Sequence, residues 1–391
     1  MLPPVSSRQF SESDAPARLP IALPTVERAI DRIERRNKRE TAPSRRKPVA
    51  WVDLVSPSHP FFFKGLLSAL SDLSVEPTVR SKTETVALSR ETGFDHTVLG
   101  RDFDSPGLRK AGIGLRTAEL ALRMPDCDLS LSARNAMCVL ASTLRNVPSI
   151  HFTDNDITAY VDDLPAERLY NRIEASATHS VVPAAYRTEE LTRWGIHPDR
   201  IHTYDGYKED VSVAGFEPDP TFTDRLPFAE YLVLRPEALS AAYVDARNGS
   251  MVPDLLDGAI RRGHNVVYLP RGRGDEALAR DYPEARVFVP EEALSGLDLA
   301  WHSLCVLTGS GTMAREAACM DKPAVSFFPG PLLSVDRSLV SEDRLVHSRD
   351  PTAILDHLDS LETREARPDL SRSRRVRTEV AALTAGLINE R

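Results

Sequence analysis

Between Ser303 and Gly330 the chain reads Ser-Leu-Cys-Val-Leu-Thr-Gly-Ser-Gly-Thr-Met-Ala-Arg-Glu-Ala-Ala-Cys-Met-Asp-Lys-Pro-Ala-Val-Ser-Phe-Phe-Pro-Gly. An apolar run over 304–307 stops at the small polar turn Thr308-Gly309-Ser310-Gly311-Thr312. A helix-forming segment follows over 313–320, then a second buried-strand run over 324–328. Strand, glycine turn, helix and strand in that order describe a βαβ unit, the building block of parallel sheets covered by helices. The turn leaves bare backbone N–H groups at a helix N-terminus, where an anion gains from both the unpaired donors and the helix dipole. Glu316, one turn further in, is within reach of a hydroxyl on the same ligand. The stretch therefore predicts a site for a phosphorylated, hydroxyl-bearing molecule. Tight packing alone is the competing explanation of a Gly-Ser-Gly turn.

Two other nucleotide motifs are missing. The turn lacks the Gly-Lys-Ser/Thr ending that grips β- and γ-phosphates, which argues against a P-loop NTPase. The first strand runs into Ser56-Pro57-Ser58-His59-Pro60 rather than Gly-x-Gly-x-x-Gly, which argues against a dinucleotide fold of the usual fingerprint.

From residue 49 onward the alternation is regular. Strands are expected at 49–55, 77–81, 96–99, 128–132, 149–153, 179–182 and 201–204, with helices at 61–73, 108–123, 135–144 and 165–175 between them. Asp205-Gly206 opens a looser stretch containing Phe216-Glu217-Pro218-Asp219-Pro220, read as a linker. A second alternation follows: strands at 231–234, 266–269, 286–289, 304–307 and 324–328, and helices near 252–262 and 291–300. An amphipathic helix over 375–390 presents Val376, Val380, Leu383 and Leu387 on one side. The division is an N-terminal extension over 1–47, an α/β domain over 48–210, a linker over 211–229, a second α/β domain over 230–348 and C-terminal helices over 349–391. Two α/β halves leave a cleft at the carboxyl ends of their strands, where ligands sit in open parallel sheets.

With 391 residues and a net charge of −8, the chain carries no cation excess to offset a phosphate backbone, which excludes a nucleic-acid binder. No apolar run is long enough to span a bilayer, and no uninterrupted apolar leader opens the chain, so a cytoplasmic location is expected. Cys127, Cys138, Cys305 and Cys319 lack metal-ligand spacing and mostly sit in apolar segments, as free buried thiols do. No bound metal is expected. In the extension a helix is expected over about 25–40, ending in the basic cluster Arg35-Arg36-Asn37-Lys38-Arg39. That cluster could make peripheral contact with anionic lipid, but a solvated helix end and flexible linker is the simpler account.

Candidate chemistry collects at strand ends. Arg235 closes the first strand of the second half, and Arg271 and Arg273 follow the next; arginines so placed can fork onto phosphate oxygens. Asp154 and Asp156 lie just past a strand of the first half, where a carboxylate could serve as general base and where Asp also caps helices. One is expected to cap and the other to act. His59 sits in the first strand-to-helix loop, in reach of a sugar or acceptor or merely in a turn. Phe61-Phe62-Phe63 is expected to be core.

This layout resembles the GT-B superfamily of two Rossmann-like domains, which includes UDP-N-acetylglucosamine 2-epimerases and many glycosyltransferases. Within it the chain is most similar to a domain-of-unknown-function family, through four stretches: Trp51 to Val55 with Ser58-His59-Pro60-Phe61-Phe62-Phe63-Lys64; Ile150-His151-Phe152-Thr153-Asp154-Asn155-Asp156; Tyr204-Asp205-Gly206-Tyr207-Lys208-Glu209 with Phe216-Glu217-Pro218-Asp219-Pro220; and Gly-Ser-Gly-Thr-Met-Ala-Arg-Glu-Ala at 309–317. The resemblance implies that Ser310, Gly311 and Thr312 hold a diphosphate and Glu316 the ribose hydroxyls. Where 2-epimerases resemble Asp-Ser-Gly-Gly-x-Gln-Glu-Glu-Ala, this chain has Gly309, Thr312 and Arg315 at the differing positions, and Leu234-Arg235-Pro236-Glu237 replaces His-Arg-Arg-Glu-Asn. The implied activity is a glycosyltransferase using a nucleotide-diphosphate sugar as substrate, with no cofactor and a glycan or lipid-linked acceptor. A 2-epimerase-like isomerase and a catalytically silent scaffold of the same fold stand as alternatives.

Overall fold

The computed structural model describes residues 46–81, 83–101, 106–237, 249–271, 273–361 and 368–390; the side chains of 83–84, 101, 106–113 and 273 are not described. The chain divides into compact units over 1–47 and 48–391. The helix expected over about 25–40 lies outside the described residues.

The second unit contains two parallel sheets. In the first, β1 (Val49–Leu54), β2 (Ser74–Ser81), β3 (Thr97–Arg101), β4 (Leu129–Ala133), β5 (Ser149–Phe152), β6 (His179–Pro183) and β7 (Ile201–Tyr204) are ordered β3-β2-β1-β4-β5-β6-β7. In the second, β8 (Leu232–Arg235), β9 (Val266–Tyr268), β10 (Val287–Phe288), β11 (Cys305–Thr308), β12 (Ala324–Ser326) and β13 (Val346–His347) are ordered β10-β9-β8-β11-β12-β13. Both are Rossmann-like, and the strand order reverses between β1 and β4 and again between β8 and β11. Helices cover both faces of each sheet, so the central strands are apolar throughout rather than alternating. β4 and β11 are buried at every position.

Packing explains where the elements begin and end. In the helix His59–Leu67, Phe62 and Phe63 meet edge-on at 5.1 Å between ring centroids, and Phe62 meets Phe152 at 5.2 Å, so these two are core as expected, while Phe61 is half-buried. Beside the first switch point the buried Asp53 accepts from Arg116 Nη2 at 2.9 Å, Thr78 Oγ1 at 2.7 Å and Asn135 Nδ2 at 2.8 Å. These bonds satisfy a charge that would be costly to bury alone. β2 begins earlier than expected, at Ser74, because it pairs with β1 along six consecutive residues. The helix Thr83–Glu91 and the short β13 were not legible from periodicity.

The stretch read as a loose linker is packed. Tyr207, Val213, Phe222 and Phe228 are buried in the second-half core, with Phe216 against it. The last helix, Ser371–Asn389, returns to the first half and buries Val376, Val380 and Leu387 in that core, with Leu383 packed beside them. At Gly206 a Cβ would lie 2.5 Å from Val376 Cγ1, so this returning helix requires glycine there. All four cysteines are free thiols; Cys138, Cys305 and Cys319 are buried. No helix among the described residues is long and apolar enough to cross a membrane.

Candidate functional site

A cleft of about 420 Å³ lies at the carboxyl ends of both sheets. The first half contributes Ser56, Ser58 and His59 after β1, Arg134 after β4, Asp154 and Asn155 after β5, and Lys208. The second half contributes Arg271 after β9, the turn 309–312 and Arg315 after β11, and Ser326 and Phe328 at the end of β12. Carboxyl ends gather these groups because every strand in both sheets runs parallel and hands its chain to a loop on the same side.

The turn after β11 is built in two parts. The Gly309 N–H donates to Arg235 O at 2.9 Å and the Ser310 N–H to Thr308 Oγ1 at 2.9 Å, so these two amides are taken. A Cβ on Gly309 would lie 2.6 Å from Glu237 Cα, and only glycine lets the two loops touch. The helix Gly311–Cys319 then starts without a side-chain cap, and its first intrahelical bond is from Ala314 to Ser310 O. The amides of Gly311, Thr312 and Met313 have no acceptor among the described residues, as the first turn of an uncapped helix leaves them. The free amides of this turn are therefore those of residues 311–313 and not those of Gly309 or Ser310.

Behind it lies a buried ion network. Arg315, 6 % exposed, pairs through Nε with Glu209 Oε1 and through Nη1 with Asp336 Oδ1, both at 2.9 Å, and Nη2 lies 3.8 Å from Asp154 Oδ2. Lys208 Nζ is 3.1 Å from Asp154 and 4.0 Å from Glu209. Burial opposes ionisation of Asp154, but the Lys208 ammonium and Arg315 guanidinium outweigh it and hold its carboxyl below the ordinary range. Burial likewise opposes the Lys208 charge, and Asp154 and Glu209 overcome it, so its ammonium is held above the ordinary range. Lys208 donates its hydrogen bond to Asp154 Oδ1, and Oδ2, buried in the cleft wall, is held by charge alone, 3.1 Å from the same ammonium.

His59 is 5 % exposed, and burial, aided by Lys208 and His151, pushes its pKa down to about 3. It is neutral at any ordinary pH. The Val55 N–H donates to its Nδ1 at 3.3 Å, which assigns the ring proton to Nε2. Arg134, in the left-handed region at φ 40°, is oriented by Asn171 at 2.7 Å and by ion pairs with Glu167 and Glu174.

The remaining expected residues fall in different places. Arg271 lines the cleft and its Nε donates to Pro236 O at 3.0 Å; the Arg273 side chain lies outside the described residues. Arg235 does not line the cleft, and its Nε is buried with no acceptor among the described residues. Glu316 is half-buried and also off the lining. Burial, then the nearby Glu209, pushes its pKa up to about 7 against the pull of Arg315, Lys208 and Arg235. Asp156 corrects the sequence expectation of a catalytic or capping carboxylate. It stands first in the short turn Ile157–Ala159 without capping it. Its Oδ1 accepts from Ser334 N–H at 3.1 Å and its Oδ2 from Arg187 N–H at 3.2 Å, so both oxygens are committed and the first tacks one half to the other.

Sequence reasoning passed over Arg134, Lys208, Arg315 and Asp336, whose nearest signal was the pairing of Lys208-Glu209 with Arg315 across 106 residues of chain. Among the described residues no group of three or more His, Cys, Asp or Glu side chains is arranged to hold a metal ion.

A family model described as Protein of unknown function (DUF354) matches residues 49–378. The uncharacterized protein MJ0665 of Methanocaldococcus jannaschii is 31 % identical over 129 residues, which are 33 % of this chain and 36 % of that one, so the match spans about a third of each. The fold is shared with UDP-GlcNAc 2-epimerase of Methanocaldococcus jannaschii in complex with UDP-GlcNAc and UDP (TM-score 0.65, 13 % identity, 86 % of this chain and 100 % of that one). It is shared also with the glycotransferase of kitacinnamycin (TM-score 0.55, 14 % identity, 88 % and 100 % covered). At these identities the likeness establishes a GT-B fold of two Rossmann-like domains.

Proposed function

The chain belongs to the DUF354 family, and from that premise we propose that it is a GT-B glycosyltransferase that takes a nucleoside-diphosphate sugar into the cleft. The observation that carries this reading is the set of three unpartnered amides at 311–313, opening on a cleft whose opposite wall bears His59, Asp154 and Lys208. The diphosphate sits on those amides and the helix dipole, with Arg271 beside it, and both stabilise the negative charge that grows as the glycosidic bond to the diphosphate breaks.

The sugar then points at the first half. Asp154, kept ionised by its two cations, accepts a hydrogen bond from the acceptor hydroxyl and receives its proton as the new bond forms. His59 remains neutral and donates from Nε2, orienting a sugar hydroxyl without changing charge. The acceptor is a glycan or lipid-linked sugar and the reaction takes place in the cytoplasm. Thermal melts of the full chain with UDP, GDP and UDP-GlcNAc test the donor site. A bound nucleotide at one hundred times its Kd adds about 2.7 kcal/mol of stability and raises Tm. A panel that leaves Tm unchanged at saturating concentration overturns donor binding. Deuterium appearing at the second carbon of the sugar in D2O would instead assign a 2-epimerase-type isomerisation, and binding without any turnover a silent scaffold.

A further inference from the structure

On the side of the molecule served by the linker, a second cavity of about 660 Å³ lies among four elements. The helix His59–Leu67 contributes Phe61 and Lys64, the linker Phe216 and Glu217, the start of the helix Gly296–His302 Leu297 and Asp298, and the returning helix Ser371–Asn389 Arg374 and Arg377. Arg374 and Arg377 are three residues apart on that helix and so share a face. The Arg377 guanidinium is tucked against the linker: a Cβ on Gly215 would lie 3.2 Å from its Nη1. Its Nε is buried and has no hydrogen-bond acceptor.

None of the three cations has a carboxylate within ion-pairing distance among the described residues. The two acids at the cavity do not neutralise them. Asp298 Oδ1 accepts from the Asp219 N–H at 2.9 Å, and Glu217 is exposed. Lys64 and Arg374 are exposed and Arg377 is half-buried, so their head groups are open to an anion in the cavity, whose oxygens would accept charge-assisted hydrogen bonds from them.

We propose that this cavity is a second binding site, separate from the cleft, for a phosphorylated small molecule. Its phosphate is held by Lys64, Arg374 and Arg377, and its uncharged part lies against Phe61, Phe216 and Leu297. A ligand there touches both halves, the linker and the returning helix at once, so its binding is linked to how those parts are set against one another. The site stands independently of the cleft reading.

Calorimetric titration of the full chain with inorganic pyrophosphate tests it, using three proteins: the parent, Arg374→Ala/Arg377→Ala, and Ser310→Trp, which fills the mouth of the cleft. Melts without ligand establish that each is folded; Arg374→Gln/Arg377→Gln replaces the alanine pair if that one is not. The expected result is pyrophosphate binding that survives Ser310→Trp and is weakened at least tenfold, or loses one equivalent, in the double variant. Equal stoichiometry and affinity in parent and double variant overturns the second site. Loss of all binding in Ser310→Trp also overturns it, and leaves the cleft reading intact. Binding that is lost only in the double variant upholds the second site and counts against the cleft as a phosphate site.

Discussion

His59 shows how one position carries both a structural and a chemical consequence. Its neutral ring accepts from the Val55 N–H and lines the cleft, and burial makes protonation in the folded state unfavourable down to about pH 3. An unfolded histidine takes up a proton near pH 6.5, so between these limits the unfolded chain binds more protons than the folded one. Stability contributed by this residue is therefore complete above pH 6.5 and is lost as pH falls toward 3. At pH 4.5 the difference of two pH units corresponds to about 2.7 kcal/mol. Melts of the parent and His59→Gln at pH 7 and pH 4.5 should show the variant losing less stability on acidification by an amount of that order. Parallel losses would mean that the ring is hydrated and titrates normally. Asp156 makes the complementary point. Its type and position fit a catalytic base, but two backbone amides occupy its oxygens.

At the scale of the element, the helix Gly311–Cys319 is the decisive piece. Ser310 precedes it with φ −107° and ψ 117°, an extended conformation that a residue before proline favours. Gly311 is the first helical residue, where proline is well tolerated because its missing N–H has no intrahelical partner. Gly311→Pro should therefore keep the helix and delete one of the three free amides. The added Cβ would lie 3.0 Å from Arg315 Nη1, which is held by Asp336, so that side chain must give by a few tenths of an ångström. A hydrogen bond to a charged group contributes about 1.5–3 kcal/mol, so UDP affinity measured by calorimetry should fall at least tenfold with little change in the melt of the free protein. Undiminished affinity would remove this helix end from the nucleotide site. The returning helix Ser371–Asn389 is the other element of consequence, since its apolar side was readable but the half on which it packs was not.

At the scale of the whole molecule, buried charge joins the two halves at the cleft. Arg315 of the second half is held by Glu209 and Asp154 of the first and by Asp336 of its own. Asp156 and Tyr160 of the first half both bond Ser334. Removing Arg315 leaves Asp336 without its cation and Glu209 and Asp154 with Lys208 alone, and breaking a buried pair from one side costs about 3–5 kcal/mol. Arg315→Met should lower Tm by several degrees, and adding Glu209→Gln should restore part of the loss. A Tm equal to the parent's would mean that water already solvates the network. The same substitution should weaken UDP binding, because the guanidinium also lines the cleft beside the free amides.

Local chemistry made much of this legible in advance. Apolar runs separated by helical periodicity specify parallel strands because both faces of such a sheet are covered, and a small polar turn before a helix specifies a helix end with free amides because the first amides of a helix have no internal partner. Burial of Phe62 and Phe63 followed from the same logic. What periodicity could not convey was which of several similar groups would find partners. Gly309 and Ser310 donate inward while 311–313 open outward, Glu316 stands behind the cleft while Arg315 enters it, and Lys208 meets Asp154 only after 54 residues of chain have folded between them. Those outcomes depend on distances between atoms remote in the chain, and burial and charge pairing act on such distances. The amino-acid order thus determined the two sheets and the helix end that faces the cleft, and tertiary packing alone decided which charges line it.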